Sequence, residues 1–137
     1  MTVRPILLDT CAVLWLANND PLHASAEAAL ADAADEGAIW VSPISAWEIG
    51  LLSVRGRITL ARPALAWFDE VIESGVGLAP MPPSVLIESS TLPGTPPRDP
   101  ADRIVAATAR AFGYRLMTRD HLLLDYGREG HIDIIAC

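Results

Sequence analysis

Four carboxylates fall at comparable points along this sequence, each just past a short apolar run or in the first turns of the helix expected to follow. Asp9 closes Ile6-Leu7-Leu8, Glu48 lies shortly after Ile39-Trp40-Val41, Asp102 follows the stretch Leu92-Pro-Gly-Thr-Pro-Pro-Arg98, and Asp120 follows Leu116-Met117-Thr118. If those runs are parallel strands, the acids gather in the crevice beyond the strands' carboxyl ends, where ligands bind in open α/β sheets. Carboxylates crowded there repel one another and raise each other's pKa unless a cation shares the space. For an oxygen-only set the natural cation is Mg²⁺ or Mn²⁺, which binds through one or two carboxylates and keeps several waters. Such an ion lowers the pKa of a bound water and offsets charge on a pentavalent phosphate, so the pattern suits phosphodiester hydrolysis. Glu48, or a free oxygen of another carboxylate, can orient the attacking water.

Each acid also has a second explanation as a helix cap. Asp9 and Asp120 can each cap the helix that follows, Ser45-Ala-Trp-Glu48 fits a capping box, and Asp99-Pro-Ala-Asp102 puts one acid at the N-cap and another at N3. Capping accounts for any one of them; a shared cation accounts for all four. The rival of a different class is a non-catalytic metal- or RNA-binding module on the same scaffold. A DNA-directed 5′-nuclease would share the chemistry, but such enzymes use extra length to hold a duplex.

The elements that must position these acids follow from periodicity. Thr10 to Ala17 predicts a short helix. Leu22 to Glu36 predicts an amphipathic one with Leu22, Ala26, Ala29, Leu30 and Ala33 on one stripe, ended by Gly37. Ala38 to Val41 is a strand, and Ser42-Pro43 opens a helix to about Arg55. Pro63 starts another, with Leu65, Phe68, Val71 and Ile72 facing inward. Val76 to Ala79 is a third strand and Pro82-Pro83 leads a helix to about Ser90. Leu92 to Arg98, with three of the eleven prolines, must be a surface loop. From Asp99 runs the clearest helix, with Ile104, Ala107, Thr108 and Ala111 on one face, to Gly113. Arg115 to Thr118 is strand four, Asp120 to Tyr126 a short helix and Ile132 to Ile135 a last strand. The alternation predicts an α/β fold, three layers around a mostly parallel sheet of four to five strands, with residues 1–137 as one domain.

Composition narrows the chemistry. The net charge is −7, which disfavours nucleic-acid binding as such, because phosphate neutralisation supplies most of that affinity. All ten basic residues are arginine, the type that grips phosphate bidentately, and Arg98, Arg103, Arg110, Arg115 and Arg119 crowd the last third of the chain. Arg98, Arg103 and Arg119 are the candidate substrate binders. The absence of lysine excludes a standard P-loop and the phosphoaspartate chemistries that need one. His23, His121 and His131 lack ligand spacing and are expected as surface or packing residues, with only His121 near the crevice. Cys11 and Cys137 fit a reduced, cytoplasmic chain, Cys11 as a small packed side chain rather than a nucleophile. No apolar run is long enough for a membrane span, and no signal-peptide pattern is visible.

Four motifs in order, Leu-Leu-Asp9-Thr-Cys, Ser-Ala-Trp-Glu48-Ile-Gly, Arg-Asp-Pro-Ala-Asp102-Arg-Ile-Val-Ala-Ala-Thr-Ala and Leu-Met-Thr-Arg-Asp120, resemble those of PIN-domain ribonucleases. More narrowly, the chain is similar to the VapC toxins of type II toxin-antitoxin pairs. The resemblance implies a Mg²⁺- or Mn²⁺-dependent endoribonuclease that arrests translation by cutting RNA. It carries the acidic quartet onto Asp9, Glu48, Asp102 and Asp120, with Asp9, Asp102 and Asp120 as metal ligands. Thr10 and Thr118 become supporting hydroxyls, and Asp99 a structural acid beside them. It further implies a homodimer silenced by a small antitoxin, and a partner of basic character would suit the acidic balance. Trp15, Trp40, Trp47 and Trp67 are expected mostly in the core, with one or two at an interface.

Overall fold

The central strand β1 (Ile6–Leu8) is an unbroken run of branched side chains, all three fully buried, as a strand covered on both faces requires. Ile6 and Leu8 point into one apolar cluster and Leu7 into the other, by the two-residue period of a strand. The structure is a computed structural model describing residues 4–137. The elements after β1 are α1 (Thr10–Ala17), α2 (Ala24–Asp35), β2 (Ile39–Val41), α3 (Pro43–Val54), α4 (Ala64–Glu73), β3 (Gly77–Leu78) and α5 (Pro83–Glu88). The chain continues through α6 (Pro100–Phe112), β4 (Arg115–Thr118), α7 (His121–Arg128) and β5 (Asp133–Ala136).

All four strand pairings are parallel, in the order β3-β2-β1-β4-β5. The chain therefore builds outward from β1 through β2 to β3, then crosses back and builds outward the other way through β4 to β5. That reversal makes the carboxyl end of β1, between β2 and β4, the switch point where such sheets open a crevice. Ile6, Leu8 and Val41 pack with Val13, Leu30, Ile49, Phe68 and Val71 of α1 to α4 on one face. Leu7 and Leu116 pack with Val105, Ala109, Leu123 and Tyr126 of α6 and α7 on the other. The α/β fold and its parallel sheet are as the alternation predicted. No helix among the described residues is long and apolar enough to cross a membrane.

Three inward-facing assignments are corrected. Leu65 lies 74% exposed, and Trp67 enters the core beside Phe68 and Val71 in its place. On α6 the buried face is Ala101, Val105, Ala106, Ala107, Thr108 and Ala109, while Ala111 is exposed. The small side chains of α6 let it lie close over the sheet, so alanines rather than the larger Ile104 define its inner surface. Of the four tryptophans only Trp67 is buried; Trp15 and Trp40 are half-buried and Trp47 is 56% exposed.

The loop Leu92–Arg98 is fastened where it passes α7. The buried Tyr126 donates its hydroxyl to the Pro93 carbonyl at 2.7 Å, and the Thr95 N–H donates to Glu129 Oε1 at 2.9 Å. Between them Gly94 turns at φ +70°, and a Cβ there would overlap Glu129 Oε1 and His131 Nε2. Gly94→Ala should cost about 1–3 kcal/mol in a urea melt, combining left-handed backbone strain with displacement of Glu129. Unchanged stability would show that the loop is not held this way.

Candidate active site

Asp9 stands at the switch point and is only 6% exposed. Its Oδ1 accepts the Ala12 N–H at 2.7 Å, which makes it the N-cap of α1, and its Oδ2 accepts the Thr118 hydroxyl across the β1–β4 boundary. Thr118 Oγ1 in turn accepts the Asp120 N–H at 3.0 Å, and Asp120 Oδ2 accepts the Leu123 N–H at 3.0 Å as the N-cap of α7. One chain of hydrogen bonds thus fixes Asp9 relative to Asp120.

On the β2 side, Thr10 hydrogen-bonds Glu48 Oε1 and lies 2.9 Å from the buried Ser45 Oγ. A hydroxyl has one proton, so the Thr10 O–H donates to the carboxylate and Ser45 donates to Thr10. Glu48 caps nothing. The cap of α3 is Ser42, which accepts the Ile44 N–H at 3.1 Å, and Glu48 lies in mid-helix. The capping-box reading of Ser45 and Glu48 is therefore wrong, and Ser45 is the polar residue that this reading concealed. Its three-residue spacing from Glu48, which puts both on one helix face, was the available signal.

Asp99 caps α6 through the Asp102 N–H at 3.0 Å, as the Asp-Pro-Ala-Asp spacing predicts, and it is solvent-exposed. Asp102 differs from its neighbours. It is half-buried, yet among the described residues nothing donates a hydrogen bond to its carboxylate.

The electrostatics bring the acids together. Burial pushes Asp102 up to about 7, and the charges of Asp99, Asp120, Glu48 and Asp9 push the same way. Burial raises Asp9 to about 6, against the opposing bonds from Thr118 and Ala12 and with added repulsion from Asp120 and Glu48. Glu48 is also raised, first by burial, with Thr10 opposing and Asp99 reinforcing. The Cys11 thiol, solvent-exposed rather than packed, is pushed up to about 11 by partial burial and by Asp9, Glu48, Asp102 and Asp120. A thiol so surrounded stays protonated and is a poor nucleophile.

Among the described residues no three of these acids form a ready-made ligand cage. A divalent ion that keeps most of its waters does not need one, since one or two carboxylates suffice. An oxygen-only set of mutually repelling acids, one with no donor of its own, fits Mg²⁺ or Mn²⁺ better than zinc.

The arginines are placed differently from the acids. Arg119 donates through Nε to the Cys137 carbonyl at 2.6 Å and through Nη2 to the Pro21 carbonyl at 3.0 Å, and it lies 3.8 Å over the Trp15 ring. Arg103 reaches the Ser89 carbonyl at 3.4 Å, Arg110 the His131 carbonyl and Arg115 the Arg4 carbonyl. Arg98 is exposed beside Asp99. Of the histidines, His131 packs against Tyr126 and Glu129, while His23 and His121 are exposed.

The sheet is a doubly wound one whose strand order reverses at an acid-lined crevice, and the chain belongs to the PIN domain family, which its residues 6–129 match. It is 40% identical over 119 residues to Ribonuclease VapC22 of Mycobacterium tuberculosis, covering 86% of this chain and 88% of that protein. Among solved structures it resembles DNA-bound VapBC from Salmonella typhimurium, with a TM-score of 0.67 at 21% identity over 97% of this chain and 98% of that one. VapBC2 from Rickettsia felis, bound to a DNA fragment from its promoter, gives 0.66 at 15% identity over 96% and 98%.

Proposed function

We propose that this protein is a divalent-metal-dependent endoribonuclease of the VapC toxin type, acting in the cytoplasm on RNA and held inactive by a small antitoxin. The observation that carries the reading is Asp102, a half-buried carboxylate without a hydrogen-bond donor among the described residues, whose pKa is raised first by burial and then by the charges of Asp99, Asp120, Glu48 and Asp9. A residue kept only as a cap has no reason to sit so. The 40% identity to a protein named as a ribonuclease supports the RNA assignment. The structural neighbours named as VapBC assemblies support an antitoxin partner and a dimeric arrangement.

Asp9, Asp102 and Asp120 are the acids that would hold the ion, one or two of them directly and the remainder through its waters. When bound, Mg²⁺ or Mn²⁺ supplies a water of lowered pKa and offsets charge on the phosphate. Thr118 keeps the Asp9 carboxylate fixed toward β4, and Thr10 does the same for one oxygen of Glu48, leaving its other oxygen to orient a water and take its proton. Ser45 holds Thr10 in turn. Asp99 contributes by capping α6 and so fixing where Asp102 points.

One observation favours the non-catalytic reading: Asp9, Asp99 and Asp120 each do cap a helix. The test is direct. Purified protein should cleave single-stranded RNA with Mg²⁺ or Mn²⁺ and stop in excess EDTA. Cutting that survives EDTA, or none with either ion, refutes the proposal.

A further inference from the structure

Beside the acids, at the carboxyl end of the β4–β5 edge, lies a groove of about 630 Å³ lined by Pro21, Leu22, His23, Arg119, His121, Leu124, Ala136 and Cys137. In a chain of net charge −7 this lining contains no Asp or Glu side chain, while it gathers two of the three histidines and one arginine. Asp20 and Asp120 are chain neighbours of lining residues, but neither lines the groove.

We infer that this groove is a subsite for the nucleotide flanking the cleaved bond of a single-stranded RNA. The inference rests on the nuclease reading above for its register, though not for its chemistry. Consecutive residues after β4 divide between the two places. Thr118 bonds Asp9 and Asp120 belongs to the acid crevice, whereas Arg119 and His121 face the groove. A strand whose phosphate lies at the acids thus has its next unit at these walls.

The chemistry matches that unit. The Arg119 guanidinium is fixed by the Pro21 and Cys137 carbonyls and by Trp15, which leaves Nη1 without a partner among the described residues and available to a phosphate oxygen. A fixed guanidinium loses little conformational freedom when it binds. Pro21, Leu22, Leu124 and Ala136 give an apolar floor for a ribose or base, and His23 and His121 supply imidazoles that stack on bases and donate hydrogen bonds. A basic protein segment would gain less, because the lining offers it no Asp or Glu side chain to pair with and its one fixed cation is Arg119.

The test is equilibrium binding of a fluorescently labelled single-stranded RNA decamer to the full chain, read by anisotropy in EDTA so that no cleavage intervenes. The double variant H23A/H121A, at two exposed positions, should bind about tenfold more weakly than the unaltered chain. Arg119→Gln should flatten the salt dependence by about one phosphate contact. His131→Ala, a histidine outside the groove, should bind as the unaltered chain does. Equal affinity of the double variant and the unaltered chain, or equal losses for it and His131→Ala, overturns the subsite and leaves the groove to a protein segment. Because the readout is binding, failure of the nuclease reading shows separately, as RNA bound through the groove but never cut.

Discussion

Asp9→Asn should reduce metal-dependent RNA cleavage by at least about a hundredfold while leaving the fold intact. The carboxylate stands at the switch point, nearly buried and coupled to Asp120 and Glu48. The amide can keep the cap, its carbonyl oxygen accepting the Ala12 N–H that Oδ1 now accepts. On the other side the amide nitrogen would replace Oδ2 as the partner of Thr118, whose oxygen has lone pairs for both that N–H and the Asp120 N–H. The expected outcome is therefore a large loss of rate with a stability change of about 1 kcal/mol or less, because the buried Thr118 hydroxyl proton loses its acceptor while burial of a charge and its repulsion by Asp120 and Glu48 are relieved, and the two offset. Asp102→Asn sharpens the contrast. Its carboxylate accepts no bond, so in EDTA the variant should be more stable than the parent, by about 2 kcal/mol after allowance for partial solvent screening, and still inactive. If Asp9 served only as a cap, Asp9→Asn, which keeps that cap, would leave cleavage unaltered.

Without metal, folding stability should fall as pH rises from about 4 to about 7, the reverse of an ordinary acid-denatured protein. Asp9 moves from an ordinary 3.8 to about 6, and Asp102 from 3.8 to about 7. A carboxyl whose pKa is raised by folding holds its proton more tightly in the folded than in the unfolded chain. Within that window the folded chain binds the extra protons, so removing them favours unfolding; below it both forms are protonated and above it both are ionised. For Asp9 alone the shift corresponds to about 3 kcal/mol, and the coupled acids do not add independently. Urea melts at about pH 5 and about pH 8 in EDTA measure this directly. Adding Mg²⁺ or Mn²⁺ should recover most of the loss at the higher pH and do little at the lower, where protons already occupy the carboxylates. Stability that rises with pH in EDTA, or that ignores the metal at both values, would mean the acids do not share a field.

The fold was legible because its signals are local. Ile6-Leu7-Leu8 is apolar at every position, as a doubly covered strand must be, and Asp99-Pro100 with Gly113 marks both ends of α6. Leu65 and Ala111 were misassigned because helical periodicity fixes which residues share a face, while the neighbour that covers the face comes from elsewhere in the chain. The histidines divide likewise. His121 was placed near the crevice by its adjacency to Asp120, whereas His23 reaches the same groove only because the turn after α1 lies against the end of β5.

By itself the sequence determined the acids, their order and the strand ends that carry them, since each of these depends on a few adjacent residues. The arginines were beyond its reach: nothing near Arg119 in the chain says that Pro21, Cys137 and Trp15 will hold its guanidinium. Only tertiary structure decided that Thr118 bonds Asp9, that Thr10 rather than a helix end holds Glu48, and that Asp102 is left without a donor. Hydrogen bonds and desolvation act through space over a few ångströms, and residues 9 and 118 become neighbours only when β1 and β4 pair.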